Sequence, residues 1–254
     1  MSSTAYPPPS VAYPLSVRGF FDQPSRALWL VKWLLLIPHY IILVFLWLAF
    51  WVVTVIAFFA ILFTTRYPRG LFDFNVGVIR WSWRVSFYGY GALGTDRYPP
   101  FTLADVPDYP ARLEIDYPQQ LNRWLPLVKW LLAIPHYIVV GALFGSGYVV
   151  ATSVQDGDPV IYSTPSLIGA CVLIGAIALL FTTRYPPGLF DFAVGINRWS
   201  YRLLVYVGLM TDRYPPFQLD QGSIDVEGPP QPAATSEPGR AEQPPVYGPE
   251  AEPR

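Results

Sequence analysis

Arg80 and Arg84 stand four residues apart at the end of FTTRYPRGLFDFNVGVIRWSWR, Phe63 to Arg84. Arg198 and Arg202 repeat that spacing in FTTRYPPGLFDFAVGINRWSYR, Phe181 to Arg202, and 17 of the 22 positions are identical. On a helix each pair shares a stripe with a first-turn aspartate, Asp73 or Asp191. A guanidinium grips phosphate bidentately, so the four arginines are candidate ligands for an anionic headgroup or a phosphorylated molecule. The competing chemistry is structural: Arg80 pairs with Asp73 or Asp96 and fastens its helix in place. Arg66 and Arg184 stand near the start of the two motifs, and Asp96 and Asp212 belong to TDRYPPF, found unchanged at Thr95 to Phe101 and Thr211 to Phe217. These charges are the candidate ion-pair partners. Changing all four stripe arginines to alanine separates the two chemistries, because a headgroup site loses lipid while a structural role loses the fold.

His39 and His136, the only histidines, both lie in IPHY. Proline cannot donate to the helix ladder and frees a carbonyl one turn earlier, which a neighbouring histidine can reach at headgroup level. A metal or proton site would need the two rings to meet and a third ligand that no motif supplies. The single cysteine, Cys171, permits no intramolecular disulfide and no thiolate cluster. No metal or cofactor is expected. Nucleophile-elbow, phosphate-loop, zinc-protease and dinucleotide motifs are all missing, so the chain reads as non-enzymatic.

These side chains follow long apolar runs. The chain is 52% apolar and 14% charged, and the 33 residues between Lys32 and Arg66 contain no charge. A second charge-free run covers Ser166 to Thr183. Such runs predict an integral membrane protein. A net charge of −1 argues against nucleic acid as a partner. The N-terminus lacks the basic and apolar regions of a signal peptide, so the internal helices are expected to direct insertion.

Repetition organises the rest. LVKWLLLIPHYI at Leu30 matches LVKWLLAIPHYI at Leu127 in eleven of twelve positions. Lys32 and Lys129 are offset by 97 and Arg66 and Arg184 by 118, so copy two carries 21 extra residues, including the turn-rich SVQDGDPVIYSTP. Copy two is expected to have membrane helices at about 121–152 and 165–183. Copy one is expected to form a hairpin over about 25–65, although no Gly, Pro or Asn marks a turn near Leu46 to Trp51. The competing arrangement is an interfacial helix before Pro38 and one span after it. Hairpins leave every Lys and Arg on one side, which the positive-inside rule makes the cytoplasm, together with both termini. They also make the repeats parallel, and a cysteine at Ala49 is expected to react from outside the cell. Phe74, Val78, Trp81, Val85 and Tyr88, with Phe192, Ile196, Trp199, Leu203 and Tyr206, give each copy an amphipathic helix, at about 70–91 and 188–209. Its ring-rich face is expected at the lipid boundary. YPLSVRGFFDQP and YPARLEIDYPQQ read as cytoplasmic strands, and FTL and FQL are candidate further strands.

The layout is a Pro-rich disordered tail over 1–12, repeat one over 13–104, repeat two over 105–220 and a second disordered tail over 221–254. The fold class is an α-helical integral membrane protein of two tandem parallel repeats, each a transmembrane hairpin plus an interfacial helix, with short strands. KWLLLIPHY, the arginine motif and GTDRYPPF, with their second-half counterparts, resemble a bacterial, largely actinobacterial, membrane-protein family known as domain of unknown function 4389. The resemblance covers Tyr13 to about Leu219 and implies a bacterial plasma membrane location; it transfers no functional residue. Asn197 in place of Ile79 and the longer loop set copy two apart. The expected role is an accessory or scaffolding protein engaging the lipid bilayer, anionic phospholipid or a membrane-protein partner. The alternative is a small transporter or lipid-handling protein with its path between the repeats.

Overall fold

The computed structural model describes residues 13–145, 148–152, 159–163, 166–219 and 222. The first repeat runs β1 (Leu15–Gly19), α1 (Trp29–Thr64) and α2 (Arg69–Tyr88). The second runs β2 (Ala111–Ile115), α3 (Leu125–Leu132), α4 (Ile134–Phe144), β3 (Tyr148–Thr152), β4 (Pro159–Ser163), α5 (Leu167–Thr182) and α6 (Pro187–Val207). Apart from Gly222, the tails expected to be disordered lie outside the described residues, as does the tip of the copy-two loop.

The hairpin expected in copy one is a single 36-residue helix. Nothing between Leu46 and Trp51 can turn the chain, and Pro38 removes only one ladder bond without ending the helix. α1 stops at Thr65, whose left-handed backbone (φ 59°) lets its N–H reach the Ile61 carbonyl. In copy two the same 12-residue motif breaks. α3 and α4 meet at a 43° bend around Ala133, which replaces Leu36 and is the one position where the motifs differ. The expected helix over 121–152 ends at Gly145 (φ 69°), and Tyr148–Thr152 instead pairs antiparallel with Pro159–Ser163. The extra residues of copy two therefore make a β-hairpin where copy one continues α1.

β1 and β2 pair antiparallel, Leu15 opposite Ile115, Val17 opposite Leu113 and Gly19 opposite Ala111. Matching the two YP dipeptides equates Leu15 with Ala111, Val17 with Leu113 and Gly19 with Ile115. A local twofold axis therefore passes between Val17 and Leu113, perpendicular to the sheet. Deeper in the molecule the equivalent rings Trp83 of α2 and Tyr201 of α6 meet at 5.7 Å. FTL and FQL form no strand.

Three layers stack along this axis. On α2, Trp81 and Trp83 project about 200° apart. Trp83 Nε1 donates to the Arg18 carbonyl of β1, while Trp81 joins Leu36 and Leu43 of α1 in one buried cluster. The sheet and α1 thus lie on opposite faces of α2, with α6 sandwiched likewise between β1 and α5. This corrects the boundary position expected for α2 and α6. Val78, Trp81, Val85 and Tyr88 are buried against protein, and so is Arg84 on the neighbouring stripe, covered by the loop that carries Thr102 and Ala104.

The outer layer is built differently. α1 buries a narrow seam, Leu36, Leu43, Phe50 and Ala57, at heptad spacing. Leu34, Ile41, Phe45, Leu48, Val52, Val55, Phe59 and Phe63 are exposed. α1 is long and apolar enough to cross a membrane, and the α3–α4 pair passes the same criterion if its two limbs count as one.

Candidate functional site

The two repeated motifs prove to be each other's partners. Lys32, fully buried on α1, donates to the Thr95 carbonyl (2.7 Å), pairs with Asp96 (3.0 Å) and lies 4.6 Å from the centre of the Tyr88 ring. Lys129 of α3 does the same with the Thr211 carbonyl (2.8 Å), Asp212 (2.8 Å) and Tyr206 (5.2 Å). Each aspartate also accepts a backbone N–H from the segment entering the helix, Ser25 for Asp96 and Asn122 for Asp212. Burial opposes ionisation of Asp96, but its bonds from Ser25 and Lys32 outweigh that and hold it below the usual aspartate value.

Two turns on, His39 stacks flat on Phe101 at 4.0 Å and accepts from Trp81 Nε1 at Nδ1 (3.2 Å). His136 stacks on Phe217 at 4.0 Å and accepts from Trp199 (3.1 Å). The accepting Nδ1 places the ring proton on Nε2. The backbone beside each proline is reached by tyrosine, not histidine: Tyr98 donates to the Leu35 carbonyl and Tyr214 to the Leu132 carbonyl, both at 3.0 Å. Each histidine is enclosed by aromatic rings of its own repeat. Among the described residues no group of three or more His, Cys, Asp or Glu is placed to hold a metal.

The arginine stripe turns inward. Arg84 reaches the carbonyls of Thr102 and Ala104. Burial and the neighbouring Arg80 lower its pKa to about 10, so it stays charged at neutral pH. Arg80 donates to the Leu113 carbonyl (3.1 Å), and its carboxylate is Asp105 (3.6 Å), not the expected Asp73 or Asp96. Asp73 pairs instead with Arg69 one turn before it (3.2 Å). Copy two has Pro187 at the position of Arg69, and Asp191 sits half-buried at the start of α6. Arg198 donates twice to the Val17 carbonyl and once to Gly222. Arg202 is fully buried, 5.6 Å from the centre of the Tyr13 ring. Arg66 and Arg184 remain exposed, in turns whose Thr64 and Thr182 hydroxyls accept the arginine N–H.

Chemically, this arrangement clamps loops to helices. Lysine, histidine and arginine bind backbone and rings of the chain itself. Sequence reasoning missed Lys32, Lys129, Trp81, Trp199, Tyr98 and Tyr214 as members of these clusters. The signal was present, since all six lie in stretches that the two copies share.

No match was found among curated proteins or among solved structures. Residues 26–102 and 160–218, together more than half of the chain, match one family's sequence profile and include both lysine–aspartate pairs except Lys129. The two matched segments fall in the two repeats, and the chain belongs to the family described as Domain of unknown function (DUF4389).

Proposed function

We propose that this chain is a non-enzymatic protein embedded in a membrane by its outer helical layer, serving as a scaffold for a membrane partner. The exposure of that layer carries the reading. Only 22% of the most apolar 18-residue stretch of α1 is buried, whereas the core helix of a protein in water is mostly buried. The exposed face, continued by Leu131 and Ile138 on the bent pair and Leu173 and Ile174 on α5, is larger than a monomer in water ordinarily keeps. α1 is also integral to the fold, because Leu36, Leu43, Phe50 and Lys32 pack inside it; a cleaved leader would contribute none of these. The family likeness makes a bacterial plasma membrane the proposed location.

A second reading, lipid handling, is favoured by one cavity. It measures about 600 Å³ and lies between α1, α2 and α6, lined by Leu43, Val44, Trp47, Val85 and Tyr201. Fractionation tests the first reading: the protein is expected in the membrane pellet after high-salt and alkaline washes, and release by salt alone would contradict it. Mass spectrometry of the native membrane patch then separates the two. A reproducible protein partner supports the scaffold, and a stoichiometric lipid supports lipid handling.

A further inference from the structure

We infer that the outer layer enters a single leaflet, with α1 lying along the membrane plane instead of crossing it and Arg26, Arg66, Arg123 and Arg184 meeting anionic headgroups around its edge. The inference rests on the membrane reading above and gives it a geometry.

The direction of α1 follows from its two ends. The segment leaving β1 arrives at the N-terminal end, where the Asp22 N–H bonds the Gly94 carbonyl and Lys32 holds Thr95. The segment leaving β2 arrives at the C-terminal end, where the Leu121 N–H bonds Thr65 and Tyr117 donates to the Tyr67 carbonyl. β1 and β2 are antiparallel, so these segments leave the sheet in opposite directions. α1 therefore runs along the plane of the sheet and across the twofold axis.

That geometry has two limiting orientations. If α1 spanned the bilayer, the axis would lie in the membrane plane. The sheet, with exposed Glu114 and half-buried Arg112, would then stand level with the bilayer's middle. Ionisable groups there are expensive. The helix also fits poorly: 36 residues extend about 54 Å against a hydrocarbon core of about 30 Å. Its exposed apolar face runs almost the whole length, from Leu30 to Phe63. A span would leave nearly half of it in water.

Lying flat removes these conflicts. The axis becomes the membrane normal, the apolar layer faces lipid and the sheet faces water. The charges agree. Exposed Arg26 and Arg184 belong to the end where the Arg26 guanidinium reaches the Leu180 carbonyl of α5, and exposed Arg66 and Arg123 to the opposite end. Arg26 is the repeat-equivalent of Arg123 and Arg66 of Arg184, so the twofold places matching cations at both ends of the apolar layer. Interfacial helices bind by this combination of apolar face and basic rim.

Spin labels test the geometry. They are placed singly at Leu34, Leu48 and Phe59, all exposed, in the full chain carrying Cys171→Ala. The protein is reconstituted in vesicles of phosphatidylcholine and phosphatidylglycerol. Accessibility to oxygen against a polar nickel complex reads depth, and the three labels are expected at one shared depth. A deep Leu48 label with Leu34 and Phe59 near opposite surfaces would overturn the flat arrangement while keeping the membrane reading. Labels exposed to water on protein that does not bind vesicles would overturn both. Changing Arg26, Arg66, Arg123 and Arg184 together to alanine is expected to weaken binding to phosphatidylglycerol-containing vesicles several-fold and to leave binding to pure phosphatidylcholine unchanged. Unchanged binding to both would remove the headgroup assignment.

Discussion

Trp83 and Tyr201 occupy equivalent positions in the two repeats, and their rings meet edge to face at 5.7 Å. The same local symmetry pairs Val17 with Leu113 in the sheet above them. The fold is therefore a pseudo-dimer within one chain: α2 and α6 form the shared middle layer, and the apolar helices are pushed to one side. Of the polar repeats that suggest chemistry in the sequence, the lysine–aspartate pairs lock each half, and Arg80 and Arg198 join the halves through the Leu113 and Val17 carbonyls.

Removing Lys32 should expose the strength of that lock. Lys32→Ala leaves Asp96 without its buried partner and is expected to destabilise the protein by about 3 kcal/mol, within the range for broken buried pairs. Lys32→Met with Asp96→Asn should recover part of the loss. Thermal unfolding in detergent measures it, and a change below about 0.5 kcal/mol would make the pair no more than a surface contact.

Acid should weaken the same station. The Asp96 carboxyl titrates below its usual value in the folded protein. Its stabilisation is fully present above the unfolded aspartate pKa of about 4 and disappears as pH falls through the lower folded value. Melting temperature should thus be insensitive to this group between neutral pH and about pH 5 and fall below that, with Asp96→Asn showing a shallower acid limb. An identical acid limb in the variant would contradict the assignment.

Arg198→Ala should cost stability rather than lipid. Among the described residues it loses bonds to the Val17 carbonyl, made twice, and to Gly222, a loss of about 3 kcal/mol when the donor is charged. Arg198→Lys should not restore it, because an ammonium lacks the planar fork. The variant that remains folded should bind phosphatidylglycerol vesicles as the parent does. Normal melting with weakened vesicle binding would return the stripe to a headgroup role.

Gly77 tests the packing that positions Arg84. A Cβ there would lie 2.8 Å from the Leu103 side chain and 3.1 Å from its carbonyl, pushing the loop whose Thr102 and Ala104 carbonyls hold the guanidinium. Gly77→Ala is expected to destabilise by about 1–3 kcal/mol. Gly70→Ala, with open space around it, should be neutral or stabilising. Equal melting of the two variants would show that the loop yields freely.

The repeats, β1 and β2, and the presence of helices α2 and α6 were legible because each depends on local pattern; the β3–β4 hairpin, read as a helix end and a polar loop, was not. Two further things were not. The apolar stripe through Trp81 shows that α2 has a face to bury, but a 3.6-residue period does not name what covers it; the sheet covers Trp83 on the far side, and the loop carrying Thr102 and Ala104 covers Arg84 between them. Copy two suggested a loop within α1, yet that loop belongs to inserted residues. The run Leu46 to Trp51 contains no residue able to turn, and this local fact outweighed the analogy. The pairing of Lys32 with Asp96 was half legible: both motifs were visibly duplicated, but 64 positions separate the partners and no periodicity connects them.

The central claim is that α1 rests in one leaflet with both ends on the same side. Single cysteines at Arg26 and Arg66, in a Cys171→Ala background, can be treated with a membrane-impermeant maleimide in intact and then opened cells. Labelling of both positions only after opening is the predicted result. Labelling of one position in intact cells and of the other only in opened cells would mean that α1 crosses the membrane, and the account would fail.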